Sequence, residues 1–359
     1  MDHRRQWRDG SCGRTADDAL MTASVTRDAL GDQVVNLGWI SYALALWGWA
    51  GAWRLWGDRW VWLFVLNTFA PFLFVPLPFL ILFAVRLRRR VLGVCACAGV
   101  VLWGLLYAEL WLPQAVSVQA GETRLTVMTY NLLVGNQHFD QVRQTIHASD
   151  VDVVAFQELT PQVAAMIRQE LRADYPYQAL EPVPGTRGMG VISRYPLATS
   201  AMTLDGNWNT PPQVLTLDFA GTAVTLIHAH FQPTTSPTAE VVRATVARRM
   251  QQAQAVQDFA AQHPGPLLVV CDGNMAEFSR EYAVLARTLK DAWREVGWGL
   301  GHTWPTPSGY VGLGRWLGLR LARIDYLWYS THFQAVRAAL GAADGYSDHR
   351  PVVATLVWR

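Results

Sequence analysis

In the C-terminal two-thirds of the chain, side chains able to do chemistry recur at the ends of short β-branched runs. Asn131 follows Val-Met-Thr-Tyr, and Glu158 follows Val-Val-Ala-Phe-Gln. His228 and His230 sit in Leu-Ile-His-Ala-His-Phe, and Asp272 and Asn274 follow Leu-Leu-Val-Val-Cys. Asp325 lies in Arg-Ile-Asp-Tyr, and Asp348-His349 precedes Arg-Pro-Val-Val. Loops at strand ends present side chains at a sheet edge. One acid in such a place is usually a turn or cap residue, but turns do not explain a whole series of acids, amides and imidazoles. Hard oxygen donors without a thiolate set point to Mg²⁺ or Mn²⁺ rather than zinc. Phosphoryl chemistry needs this inventory: a carboxylate for the metal, a base for water, and donors for developing charge.

These residues fall in ordered motifs: Tyr130-Asn131-Leu132, Gln157-Glu158, Ser193-Arg194-Tyr195-Pro196, His230, Asp272-Gly273-Asn274, Arg323-Ile324-Asp325-Tyr326 and Ser347-Asp348-His349-Arg350-Pro351. Together they resemble the endonuclease/exonuclease/phosphatase superfamily of DNase-like hydrolases, in its membrane-anchored bacterial form. The resemblance covers roughly residues 124–359. It implies a four-layer α/β-sandwich and a metal-dependent phosphodiesterase or phosphatase. It also implies roles for the matching positions. Glu158 is expected as principal metal ligand with Asn131 beside it, and Asp348 as a further metal or water ligand. Asp272 is expected to position or deprotonate the attacking water, and Asn274 to hold that carboxylate and the phosphate. His230 would donate to a phosphate oxygen or the leaving group. His349 would be the second donor, kept cationic by Asp325, because a carboxylate beside an imidazole raises its pKa.

Some positions depart from the family pattern. Cys271-Asp272-Gly273-Asn274 stands where Gly-Asp-Phe-Asn is usual, so the functional spacing is kept and the packing changes. Leu133 replaces an aspartate found in some nucleases of the family. His-Ala-His gives two imidazoles on one face of a strand; His230 aligns with the family position, and His228 is either its supporting partner or a core residue. Two loops are expected to shape specificity: 203–213 with Trp208, and 296–322 with Trp298, Trp304, Tyr310 and Trp316. Arg315 and Arg320 in the second could meet phosphates bidentately.

The elements that must position these residues belong to a mixed α+β domain. Strands are predicted at 124–132, 151–156, 188–193, 213–219, 222–231, 266–271, 323–330, 333–340 and 352–358. Helices are predicted at 139–148, 161–171, 240–262 and 279–289. Ala220-Gly221 marks a hairpin. Two face-to-face sheets with helices outside satisfy this pattern.

The rest of the chain differs in composition. Residues 1–112 carry 11 Lys plus Arg against 8 Asp plus Glu, and 113–359 carry 19 against 20. The C-terminal part therefore lacks the basic footprint of many nucleic-acid binders. A tail (1–33) precedes a transmembrane region (34–112) with spans expected at about 34–53, 60–85 and 91–112, and a linker (113–123) leads to the domain at 124–359. Each apolar run is long enough to span a bilayer core. Trp53, Trp56, Trp60, Trp62 and Trp111 crowd their ends, as at membrane interfaces. Arg4, Arg5, Arg8, Arg14 and Arg27 in the tail and Arg86, Arg88, Arg89 and Arg90 between the later runs predict a cytoplasmic N-terminus and an extracytoplasmic catalytic domain. The expected partners are the lipid bilayer and a phosphoester substrate, either phospholipid or nucleic acid. The competing reading is a catalytically inactive member serving as a membrane-bound binding or scaffold protein.

Overall fold

The computed structural model describes residues 16–112, 116, 121–236, 238–307, 318 and 320–359, with side chains from residue 30 onward. Most of the linker at 113–123, residue Arg315 and residues 1–15 of the tail lie outside the described residues. Two compact units are present: residues 1–48 with 74–102, and residues 49–73 with 103–359.

The first unit is helical. It contains most of α1 (Ala16–Trp56), α3 (Leu77–Leu87) and the first half of α4 (Arg90–Trp111). Gly99 of α4 lies where a Cβ would come within 2.6 Å of the Leu77 side chain, so the small residue allows close helix approach. Trp47 Nε1 donates to the Ala98 carbonyl at 3.2 Å.

Among the described residues, two helical stretches are long and apolar enough to cross a membrane, Ala70–Leu87 and Arg90–Trp111. These overlap the runs expected at 60–85 and 91–112, and the run expected at 34–53 is not among them. The run 34–53 lies within the longer α1, where Gly, Ser, Asn and Tyr dilute its aliphatic residues. The run 60–85 is not one helix. α2 (Val61–Thr68) is followed by a 3₁₀ turn (Ala70–Phe74) and then α3. Pro71, Pro76 and Pro78 fall at these breaks, because proline lacks the N–H a continuous helix needs.

The second unit holds two six-stranded sheets. The first runs β11 (Phe333–Leu340), β12 (Val352–Trp358), β1 (Arg124–Asn131), β2 (Val153–Gln157), β4 (Met189–Ser193) and β3 (Tyr177–Glu181). The second runs β5 (Leu197–Thr199), β6 (Gln213–Phe219), β7 (Thr222–His230), β8 (Leu267–Asp272), β10 (Asp325–Tyr329) and β9 (Lys290–Asp291). Each sheet has one parallel pair at its centre, β1 with β2 and β7 with β8. These pack face to face, β1 and β2 against β8 and β10.

Helices cover the outer faces. α5 (Phe139–Ser149) and α6 (Pro161–Glu170) bury Val142, Ile146, Val163 and Ile167 against Tyr130, Val154 and Phe156. α7 (Ala239–Gln262) and α8 (Arg280–Leu285) bury Ala253, Val256 and Leu285 against Ile227, Val269 and Trp328. This is the expected α+β, four-layer sandwich. The expected helix at 279–289 is shorter, ending at Leu285. β3, β5, β9 and α9 (Ala292–Val296) arise without a sequence forecast.

Part of the apolar N-terminal region packs inside this second unit. Trp53 Nε1 donates to the Phe278 carbonyl at 2.9 Å, and the rings of Trp49, Trp53 and Tyr107 surround Phe278. Asn67 accepts from Trp49 Nε1 at 3.0 Å and donates to the Gly57 carbonyl at 3.1 Å. Asp58, 3% exposed, lies here as well. Burial first, then the Glu281 carboxylate, push its carboxyl up to about 7, with Arg249 opposing. The folded state therefore holds a proton that the unfolded chain releases near pH 4, and stability falls as pH rises from about 4 to about 7. Asp58→Asn is expected to flatten this dependence. Thermal unfolding of the detergent-solubilised chain at pH 5 and pH 8 checks it, with a difference on the order of 3 kcal/mol in the parent protein. An equal pH dependence in both proteins would overturn the assignment.

Candidate active site

Strand alternation explains why the chemistry-bearing residues meet. Asn131 shares a strand face with Thr129 and Val127, and His230 with His228 and Leu226. Asp272 shares one with Val270 and Leu268, and Asp325 with Leu327. All four faces are buried between the two sheets. His230 pairs across the parallel ladder with Asp272, and Asp325 pairs antiparallel with Asp272. The period of two therefore sets these side chains at one edge of the inter-sheet layer.

Asp272 is the centre of the cluster. It accepts from Asn131 Nδ2 at 2.9 Å and from the Asn274 backbone N–H at 3.0 Å. His230 Nε2 lies 3.5 Å and His349 Nε2 3.8 Å from its Oδ2. Burial, then the Asp325 carboxylate, raise the Asp272 carboxyl above the usual carboxylate range, opposed by His349, His230 and Asn131. Asp325 Oδ2 is 2.9 Å from His349 Nδ1. Burial alone would neutralise His349, but Asp325 and Asp272 together push it up to about 10.

Glu158 follows β2 with φ +58, and Asn274 follows β8 with φ +49. Left-handed backbone at non-glycine residues is uncommon and concentrates at functional sites. The first turn sets the Glu158 side chain against Asn131, and the second sets the Asn274 N–H on Asp272. Glu158 Oε1 takes a long contact from Asn131 Nδ2 at 3.4 Å, and its Oε2 accepts from the Val134 N–H at 2.9 Å. Asn274 Nδ2 donates to the Phe231 carbonyl at 3.1 Å. Asp348 is held by Trp304 Nε1 at 3.2 Å. Ser347 Oγ ties the two motif loops by donating to the Asn131 carbonyl at 2.6 Å and accepting from the His349 N–H at 3.0 Å.

His228 resolves as a buried, neutral core residue. Its Nε2 accepts from Gln157 in the other sheet at 2.7 Å, and its Nδ1 donates to Gln213 at 3.0 Å. Burial, with His230 nearby, pulls its pKa down to about 3. It ties the sheets together beneath the site. Cys271 is buried, and burial together with Asp272 holds its thiol well above its ordinary pKa, which leaves it un-ionised and no nucleophile. Gly273 is small because a Cβ there would lie 3.0 Å from the Tyr326 ring.

Among the described residues of the two specificity loops, Trp304 touches the site through Asp348, whereas Trp208 and Arg320 bond elsewhere. Trp208 packs edge-on against Phe231 and donates to the Asp205 carbonyl. The exposed Arg320 contributes its carbonyl to His302 at 2.8 Å.

The donor chemistry fits a hard divalent cation. Asp272, Asp325 and His349 place ligand atoms within 4.8 Å of one another, and Asp325 Oδ1 is buried without a hydrogen-bond partner. His349 contributes no lone pair while cationic, and Asp325 and Asp272 face it, so the carboxylate left at the cluster edge for a cation is Glu158, 3.4 Å from Asn131 Nδ2. Together these features define the class: a two-sheet α/β-sandwich with a carboxylate–amide–imidazole site of phosphoesterase type.

Residues 128–349 match the Endonuclease/Exonuclease/phosphatase family profile, and the chain belongs to that family. Solved structures agree on the fold. TDP2 of D. rerio, complexed with a single-strand DNA product, superposes with TM-score 0.51 at 16% identity, covering 66% of this chain and 99% of that one. TDP2 from C. elegans gives 0.51 at 19% identity, covering 65% and 75%. Sphingomyelinase C from Streptomyces griseocarneus gives 0.46 at 18% identity, covering 65% and 99%. No curated protein sequence matches the chain.

Proposed function

We propose that the chain is a membrane-anchored, divalent-cation-dependent hydrolase that cleaves a phosphodiester by attack of water. The observation that carries this reading is the convergence of Asn131, His230, Asn274 and His349 on the single carboxylate Asp272. A carboxyl raised by burial and by Asp325 is a better proton acceptor than a free one, so Asp272 takes the proton from water. Asn131 and the Asn274 N–H fix its orientation. His230 and the cationic His349 donate to the phosphoryl oxygens or the leaving oxygen. Glu158 and Asn131, with Asp348, would hold Mg²⁺ or Mn²⁺. Such an ion supplies positive charge against the phosphoryl oxygens and acidifies water. Every polar position is filled, which argues against the inactive scaffold.

Anchoring rests on the stretches Ala70–Leu87 and Arg90–Trp111. Arg86, Arg88, Arg89 and Arg90 between them mark the cytoplasmic side. The second stretch then ends outside, where the catalytic domain follows. The DNA product on D. rerio TDP2 makes nucleic acid one substrate class for this site, and the anchor makes phospholipid another.

Asp325→Asn tests the donor assignment. It removes the carboxylate that, with Asp272, keeps His349 protonated up to about pH 10. The imidazolium can donate below its folded value and not above it, so lowering that value should move the alkaline limb of the rate profile to lower pH. The rate on a chromogenic phosphodiester should fall about a hundredfold. An unmoved limb would remove His349 from the reaction.

A further inference from the structure

A cavity of about 320 Å³ opens beside Asn274. One wall is α2 and the residue after it, through Phe64, Val65 and Phe69; the opposite wall is the catalytic loop at Met275 and Ala276. Thr235 lines it from the loop that follows His230. Its lining is mostly apolar, and its volume is at the lower end of small-ligand sites, roughly 300–1,000 Å³. Within the family fold this wall is an addition, since α2 lies outside residues 128–349.

We infer that this cavity takes the hydrocarbon part of the substrate, so that the scissile phosphodiester belongs to a lipid. The inference rests on the phosphoesterase reading and adds the substrate class. Three observations carry it. The cavity adjoins the reacting centre, because Asn274 lines it and its backbone N–H binds Asp272. Its exposed lining is mostly apolar and gains by excluding water from an alkyl chain, while Asp58, Asn67, Thr68, Thr234 and Ser279 supply polar groups around it. The α2 wall also precedes in sequence the apolar stretch that begins at Ala70, which the proposed function takes as an anchor.

A matched series tests this: methyl, octyl and hexadecyl diesters of 4-nitrophenyl phosphate, with the full chain in one detergent and Mg²⁺. The expected kcat/KM rises about tenfold or more from methyl to octyl, as buried methylenes add discrimination. Val65→Trp and Thr235→Trp fill the cavity from different walls at positions exposed enough to tolerate it. Each should bring the octyl-to-methyl ratio toward one, with the melting temperature reporting that the chain is folded. A flat series in the parent protein, or a steep one kept in both variants, overturns the inference. A dinucleoside diester preferred over the octyl ester, with the preference lost in both variants, also overturns it in favour of a base. If no diester turns over, the phosphoesterase reading falls instead. Calorimetric binding of octyl phosphonate against methyl phosphonate then still reads the cavity: tighter octyl binding lost in the variants supports a hydrocarbon site, and equal binding rejects it.

Discussion

Asp272→Ala is expected to lower kcat/KM on a phosphodiester about a thousandfold, within the range removed with a general base. Asp272 is 1% exposed and is faced by Asn131, the Asn274 N–H, His230 and His349. Loss of the carboxylate removes the proton acceptor and also the group against which Asn131 and the Asn274 loop are oriented. Asp272→Asn separates these effects. It keeps the shape and an oxygen for the Asn274 N–H, but an amide cannot take the proton. A similar fall in both variants assigns the effect to proton transfer. A rate retained in Asp272→Asn would assign it to position, and a parental rate in both would remove Asp272 from the chemistry. Thermal unfolding of each variant reports folding.

Glu158→Gln is expected to lower the rate about a hundredfold at low Mn²⁺ and to move the activation curve to higher Mn²⁺. The carboxylate is the exposed-side oxygen donor of the cluster, turned toward it by a left-handed backbone. Glutamine keeps the Val134 contact through its own oxygen and faces the same backbone demand, so the variant isolates charge. Mn²⁺ affinity read by electron paramagnetic resonance gives a signal independent of turnover. Unchanged affinity would take Glu158 out of the cation site.

Much of the domain was legible because its core strands are short β-branched runs that end in polar residues. The runs before Asn131, Glu158, His230 and Asp272 became β1, β2, β7 and β8 nearly to the residue. Once two facing sheets are expected, alternation puts Asn131, His230, Asp272 and Asp325 in one layer. β3 was not legible, because its residues are half-exposed and show no alternation. β9 was not legible at two residues long, with pairing partners, Trp328 and Tyr329, far along the chain. His228 and His230 look equivalent in sequence. Only the cross-sheet partner Gln157 makes the first a core residue and leaves the second at the open edge. The packing of Trp53 on Phe278 and the α2 wall beside Asn274 join residues some 200 positions apart, and no local pattern encodes such a meeting. The second apolar run read as one span because hydropathy averages over it, whereas its three prolines divide the backbone.

The most direct test of the account is hydrolysis of bis(4-nitrophenyl) phosphate by the full chain in detergent, followed through chelation and metal return. The expected result is turnover with Mg²⁺ or Mn²⁺ that EDTA abolishes and re-added cation restores. No turnover under any of these conditions, or turnover indifferent to EDTA, would contradict it.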